Sequence, residues 1–236
     1  MWKTLTDEVR TLQETLDAGI AGEIDRYTGA GGRVYCNNGC SGCCTLTVNC
    51  GFTEALRVAE VLHADALPPL RAFAKRLAEV TREARDLKGY LGLYRQRMGG
   101  CPFLADGRSC GVYPVRPLSC RALLSTREPS WCSVDFSTLS GEEKRAYVES
   151  LDGAAVSFPL HYLRTPQERG QELEAEAADR MRRACGISIY GSLPYLVYLE
   201  MEYGLSAILR QGGILAANYL EQQGLILPFA VTLELG

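Results

Sequence analysis

The sequence predicts a mainly α protein: a helical domain with irregular cysteine-rich metal-binding loops. Three observations lead to this fold class. Apolar residues recur every three to four positions over long stretches, glycines and prolines separate those stretches, and five of the ten cysteines lie between Cys36 and Cys50. We therefore expect a single domain over residues 1–236, with a cysteine-rich metal-chelating core at about 34–132 and a helical part at about 140–236.

The composition is that of an ordinary globular protein, with 47% hydrophobic residues, 22% charged residues and a net charge of −3. It indicates no nucleic-acid or membrane surface, so neither partner is expected. No apolar run reaches the roughly 18 residues of a membrane-spanning helix. Because the N-terminus has the pattern of an amphipathic helix rather than of a secretory signal, we expect a cytoplasmic protein with reduced thiols. A small-molecule or protein partner is not indicated.

Helical spacing predicts the first helix over residues 4 to about 28, and a run of glycines ends it. Residues 34–50 are rich in Cys, Gly and Asn and have no helical period, which predicts an irregular loop. Thr53 is in position to cap a second helix over about 53–63. A pair of prolines, tolerated in a first turn, opens a long third helix over about 68–98.

Prolines make long helices unfavourable over about residues 101–131. Two capping-box patterns follow, Ser140 with Glu143 and Thr165 with Glu168, and predict helices to about residues 151 and 183. Apolar residues then continue at helical spacing to Leu209 and resume at 214–220, which predicts a helical hairpin. The final segment, LILPFAVTLELG, fits either a short strand or an extended tail.

Four thiols lie within the nine residues of the first cysteine motif, Cys36, Cys40, Cys43 and Cys44. Glycines 39 and 42 between them allow the tight turns that bring sulfurs to one centre, about 2.3 Å from a metal ion. Thiolates are the ligands that soft and borderline ions prefer. If the backbone is extended at the adjacent pair Cys43 and Cys44, their side chains point to opposite sides, so one binds a first ion and the other serves a second or packs.

The second motif contributes Cys101 in the sequence CPFL, then Cys110 and Cys120 in CGVYPVRPLSCR. At this point the chain resembles the YkgJ-type CxxCxxCC family, described as zinc- or iron-chelating domains. The resemblance spans about residues 34–125. It rests on Cys40, Cys43 and Cys44, on CPFL, and on Cys110, Tyr113, Arg116, Pro117, Cys120 and Arg121. One departure is that Cys36 precedes Cys40 by four residues, where the family's usual interval is three.

The candidate metal ligands are Cys36, Cys40, Cys43, Cys44, Cys101, Cys110 and Cys120. Because one tetrahedral zinc needs four ligands, this set implies two ions, a polynuclear cluster or some cysteines that do not ligate. Thiolates around an ion leave negative charge, so Arg116 and Arg121 are candidate hydrogen-bond donors to sulfur, with ordinary surface charges as the alternative.

The remaining cysteines and the two histidines receive weaker assignments. Cys50 and Cys132 are possible additional ligands, whereas Cys185, at a helix end, is expected to be structural. His63 and His161 lie outside the cysteine motifs and are expected at the surface or in packing.

We therefore expect a protein that chelates zinc or iron, the latter as single ions or as an iron–sulfur cluster. One alternative is an iron–sulfur-dependent transferase or redox enzyme similar to flagellin lysine methylases, and another is a noncatalytic metal-stabilised interaction module. A radical S-adenosylmethionine enzyme is disfavoured, since Gly42 stands where that family usually has an aromatic residue and repeated strand–helix units are not evident. Whether the protein is an enzyme stays open.

Overall fold

Helices dominate the computed structural model, which describes residues 1–105 and 109–236, and the predicted mainly α class is confirmed. The helices of the first half are α1 (Trp2–Gly29), α2 (Phe52–Glu60), α3 (Leu67–Glu83) and α4 (Leu87–Arg97). Those that follow are α5 (Leu118–Ala122), α6 (Pro129–Cys132), α7 (Gly141–Glu149), α8 (Arg164–Cys185), α9 (Leu193–Tyr203), α10 (Leu205–Leu209) and α11 (Gly213–Gln222). No helix among the described residues has the combination of length and apolar character that a membrane crossing requires.

A small antiparallel sheet, in the order β1-β2-β3, joins distant parts of the chain. Its strands are β1 (Asn49–Gly51), β2 (Ile187–Ser192) and β3 (Val231–Leu235). Strand β2 was not predicted, because a short apolar run does not distinguish a strand from a buried helix segment. The final segment, for which a strand and a tail were both open, forms β3.

The predicted single helix over 68–98 is wrong, because the chain leaves the helical conformation between Glu83 and Leu87. Ala84 is extended, and the side chain of Asp86 caps α4 by accepting a hydrogen bond from Gly89 N at 2.7 Å. An aspartate at this position satisfies an amide that the new helix leaves unpaired. The break lets α4 turn back, so that Tyr94 packs edge-on against Phe73 of α3.

Of the predicted caps, the Ser140 capping box is confirmed: Ser140 Oγ accepts from Glu143 N at 3.2 Å, and Glu143 returns a bond to Ser140 N at 2.7 Å. The box at Thr165 is wrong, since α8 already begins at Arg164 and has no side-chain cap. Leu163 N is bound to the carbonyl of Leu124, which fixes the point at which the chain enters the helix.

The predicted cap at Thr53 is also wrong. Gly51 occupies the capping position of α2, and the side chain of Glu54 returns to Gly51 N at 3.1 Å. The predicted hairpin near the C-terminus is present as α9 and α10 followed by α11, and α10 packs against α11.

Two clusters of buried apolar residues support the cysteine-bearing segments. The larger cluster joins α2, α3, α4, α9 and the sheet. The smaller one lies where the buried stripe of α1 meets α5 and α8, and it consists of Val9, Leu12, Leu16, Leu118, Ala122, Leu173 and Ala177. Because Leu118 and Ala122 flank Cys120 in the one short helix α5, the smaller cluster fixes the position of that thiol.

Candidate metal centre

Cys36 lies in the loop after α1 and is tied to the segment that follows α5. Ser125 N donates to Cys36 Sγ at 3.1 Å, and the thiol donates to the carbonyl of Leu123 at 3.4 Å. Tyr35 N also donates to Ser125 O at 2.9 Å. These bonds hold the start of the first cysteine motif against a chain segment almost ninety residues later.

Cys43 and Cys44 lie in a 3-10 turn, Gly42–Thr45, so the extended backbone considered for this pair is wrong. The side chains of the pair are therefore neighbours instead of pointing to opposite sides. A hydrogen bond with the Cys44 thiol, followed by burial, raises the pKa of Cys43. The free Cys43 thiol is therefore protonated at neutral pH.

Gly42 brings this turn against α6. A Cβ atom built on Gly42 would stand 2.5 Å from the carbonyl oxygen of Pro129 and 3.3 Å from Cys132 Cβ. Only glycine permits so close an approach of two backbones. The contact places Cys132, which sequence reasoning left undecided, beside the first motif.

The second motif meets the first through the backbone. Cys101 N donates to the carbonyl of Cys44 at 2.8 Å, and a β-bridge between Leu104 and Cys110 brings Cys110 back toward Cys101. Cys120 arrives separately on α5. The N-terminus of that helix is held by Glu54, whose Oε1 accepts from Leu118 N at 2.7 Å.

Cys43 lies near thiols of both motifs. A thiolate at Cys43 would disfavour ionisation of Cys36, Cys101, Cys120 and Cys132, and this is among the causes, after burial, that raise the pKa of each. Two groups are distinguishable around it. In the first group Cys120 interacts with Cys101 and Cys110, and in the second Cys36 interacts with Cys40 and Cys132.

Among the described residues, no three His, Cys, Asp or Glu side chains already converge on one point in metal-binding geometry. Burial raises the pKa of Cys36 to about 11 and of Cys101 to about 12, so these thiols are neutral without an ion. Neutral thiols have no electrostatic reason to converge, and ligation requires their deprotonation. The structure thus brings the sulfurs into one region, and closure around an ion requires side-chain movement.

The two arginines have different surroundings. The Arg116 guanidinium lies 3.7 Å from the centre of the Tyr113 ring, and its charge favours the thiolate forms of Cys43 and Cys120, lowering the pKa of each against the effect of burial. Arg121 is buried and donates to the Asp17 carboxylate and to the carbonyls of Arg116 and Pro114. All of these acceptors are oxygens, so Arg121 stabilises the turn before α5 and does not donate to a sulfur.

Cys185 and His63 lie away from the two thiol groups, whereas Cys50 lies near Cys120, whose charge is among the causes that raise the Cys50 pKa after burial. Cys50 is fully buried in β1 as part of the larger apolar cluster, and Cys185 is buried at the end of α8. His63 is exposed after α2.

The expectation that His161 lies at the surface or in packing misses its contact with a thiol. The ring is 3% exposed, and Nε2 lies 3.5 Å from Cys132 Sγ. The other ring nitrogen, Nδ1, is 2.8 Å from the hydroxyl of Tyr147. Cys132 and His161 are 29 residues apart, and no periodic or spacing pattern in the sequence connects them.

A largely apolar cavity of about 510 Å³ lies against this pair. Its wall includes Trp131, Phe136, Tyr147 and Tyr162 together with Cys132 and His161. Lys144 and Arg95 also line it. A thiol group of the candidate centre therefore faces a space large enough for a small organic molecule.

Comparison with known proteins identifies the segment that carries these thiols. Residues 35–135 match the model of the CxxCxxCC family, described as "Putative zinc- or iron-chelating domain". The resemblance drawn from the motifs is thereby confirmed for this segment, and chelation of zinc or iron is the function that the family description gives it. No curated protein and no solved structure matches the chain.

Proposed function

We propose that the protein binds zinc or iron through the thiolates of Cys36, Cys40, Cys43, Cys44, Cys101, Cys110 and Cys120, with Cys132 as an eighth. The observation that supports this most directly is the hydrogen bond from Cys101 N to the carbonyl of Cys44 at 2.8 Å, which joins the two cysteine motifs. Thiolates are suitable donors for either metal.

The grouping of the thiols supports two centres. Cys101, Cys110 and Cys120, with Cys43 or Cys44, provide the four thiolates of one tetrahedral ion. Cys36, Cys40 and Cys132 provide three donors of the other. Positive charge from Arg116 and the N–H of Ser125, which already donates to Cys36 Sγ, would stabilise bound thiolates.

A more specific form of this proposal is that the iron is bound as an iron–sulfur cluster. The second candidate function is that of an iron–sulfur-dependent transferase or redox enzyme similar to flagellin lysine methylases. The cavity beside Cys132 favours an enzyme, because a noncatalytic interaction module has no need of a space for a small molecule. A cluster supplies electron transfer or one-electron chemistry when bound. Anaerobic reconstitution with iron and sulfide should then give a brown protein with broad visible absorption, whereas a colourless zinc protein contradicts this form.

We also propose that residues 1–236 form one domain in the cytoplasm. What supports the compartment is that all ten cysteines are free thiols in the described structure. What supports the single domain is that the larger apolar cluster draws residues from Trp2 at one end to Val231 at the other.

Elemental analysis of anaerobically purified protein tests metal binding. We expect zinc or iron at one or more ions per chain, and we expect Cys43→Ser to lose most of it because that thiol adjoins both groups. Cys185→Ser is the matched control, since it removes a buried thiol away from both groups and should keep the metal. A folded wild-type protein that holds neither metal after reconstitution contradicts the proposal, as does equal loss in the control.

A further inference from the structure

We propose that His161 is a metal ligand that pairs with Cys132, so that the second centre is a mixed site of Cys36, Cys40, Cys132 and His161. This inference rests on the proposed function and deepens it. His161 lies beyond the segment 35–135 that matches the family. The ion would be held by three sulfurs and one nitrogen.

The separation between the two donor atoms fits a shared ion. Cys132 Sγ and His161 Nε2 are 3.5 Å apart. With a metal–sulfur distance of about 2.3 Å, a metal–nitrogen distance of about 2.0 Å and a tetrahedral angle, two such donors are separated by roughly 3.5 Å. The pair therefore needs little movement to bind one ion between its two atoms.

A contact at the other ring nitrogen of His161 already fixes the orientation of the imidazole. Nδ1 lies 2.8 Å from Tyr147 Oη, and Tyr147 packs against Trp131 and Phe136, with ring centroids 4.9 and 4.7 Å away. A ligating histidine typically donates its second N–H to a polar partner that fixes the ring orientation. Here that partner leaves Nε2 facing Cys132.

The segment of Ser125 and Thr126 links the pair to the first cysteine motif. Ser125 N donates to Cys36 Sγ at 3.1 Å, and the next residue, Thr126, donates its N–H and its hydroxyl to the carbonyl of His161, each at 2.9 Å. Gly42, between Cys40 and Cys43, brings the first motif against Cys132, because a Cβ on Gly42 would stand 3.3 Å from Cys132 Cβ. Cys36, Cys40 and Cys132 are thus the thiols grouped around His161. The adjoining cavity gives an ion a path of entry.

Titration of the anaerobic apoprotein with Co²⁺, and X-ray absorption of the Zn²⁺-loaded protein, test this assignment. The wild-type protein should bind two ions, one with mixed sulfur–nitrogen coordination. His161→Gln should lose the nitrogen scattering and bind the second ion at least about a hundredfold more weakly, with the first ion unaffected. His63→Gln, which removes the exposed histidine, is the matched control and should behave as wild type.

If His161→Gln binds both ions as tightly as wild type with an unchanged spectrum, the contact is an ordinary hydrogen bond and the inference is overturned. If the wild-type protein binds neither ion, the proposed function itself fails, which is a different outcome. Should the variant not fold, the ¹⁵N resonances of His161 in the wild-type protein decide. Zn²⁺ should shift Nε2 strongly and leave Nδ1 protonated, and an unshifted Nε2 contradicts ligation.

Discussion

At the residue scale, two buried carboxyl groups lie beside α5, the helix that carries Cys120. Glu54 is completely buried and accepts hydrogen bonds from two backbone amides, those of Gly51 and Leu118. Glu174 lies close by on α8, and its Oε1 finds no hydrogen-bond partner among the described residues. Burial, and then the charge of Glu54, raises the pKa of Glu174 to about 8.

Replacing Glu54 by Gln should lower the free energy of unfolding by about 1 to 3 kcal/mol, because the amide has one acceptor oxygen for two buried N–H donors. Urea denaturation measures this change. Glu60→Gln, on the exposed face of the same helix, should change the free energy of unfolding by less than about 0.5 kcal/mol. Equal effects of the two substitutions would show that the buried bonds contribute little.

Replacing Glu174 by Gln should stabilise the protein at neutral and higher pH. The folded-state pKa of Glu174 is raised to about 8, so the folded state binds more protons and wild type loses stability as pH rises from about 4.5 to 8. Gln does not titrate. The variant should therefore gain about 4 kcal/mol in the free energy of unfolding at pH 8 and almost none at pH 4. Denaturation curves across this range that run parallel would contradict the raised pKa.

At the element scale, the position of α5 depends on its close approach to α8 at Gly170. A Cβ atom on Gly170 would stand 2.7 Å from Ala122 Cβ. Ala122 is in the last position of the short helix that carries Cys120, so the glycine determines how deeply this helix sits. Other glycines in long helices have no such neighbour: around Gly22 of α1 a Cβ would meet nothing within 4 Å.

Gly170→Ala should therefore lower the free energy of unfolding by about 1 to 3 kcal/mol, despite the better helix propensity of alanine. Gly22→Ala is the matched control and should raise it by about 0.5 to 1 kcal/mol, because alanine reduces the conformational freedom of the unfolded chain. Chemical denaturation compares the two. If both variants are stabilised equally, the approach of α5 to α8 is not tight.

At the scale of the whole molecule, different interactions stabilise the helical frame and the loops that carry the cysteines. The larger apolar cluster contains residues of α2, α3, α4 and α9 and of the sheet, and four thiols of the first motif lie outside it. The loop that carries Cys36, Cys40, Cys43 and Cys44 is instead held by a few backbone bonds. The frame therefore has a source of stability that does not depend on a metal.

Removal of metal should accordingly loosen the loops without unfolding the helices. After anaerobic chelation we expect a lower Tm, since an ion that binds the folded state adds to its stability. We expect most of the far-UV helical signal to remain, with new proteolytic cleavage confined to residues 34–50. Complete loss of that signal would instead support a metal-stabilised module whose fold depends on the ion.

The sequence by itself determined the features that rest on local chemistry. Helical spacing predicted α1, the pairing of Ser140 with Glu143 predicted the start of α7, and clustered thiols predicted the two cysteine motifs. These succeeded because each depends on residues within one or two turns of one another. The prediction missed the break at Asp86, because apolar residues continue at helical spacing across it. The side chain of Asp86 nevertheless caps a new helix at this point.

Only the tertiary structure decided which distant groups meet. Strand β2 forms where β1 and β3 pair with it, and its six residues are too few for an apolar pattern alone to predict a strand. Cys132 lies beside the first motif because Gly42 has no side chain and leaves room for α6. His161 contacts Cys132 because Tyr147 and its aromatic neighbours orient the ring. The sequence shows which side chains can bind a metal. Their grouping depends on packing between segments far apart along the chain, which a periodic pattern does not encode.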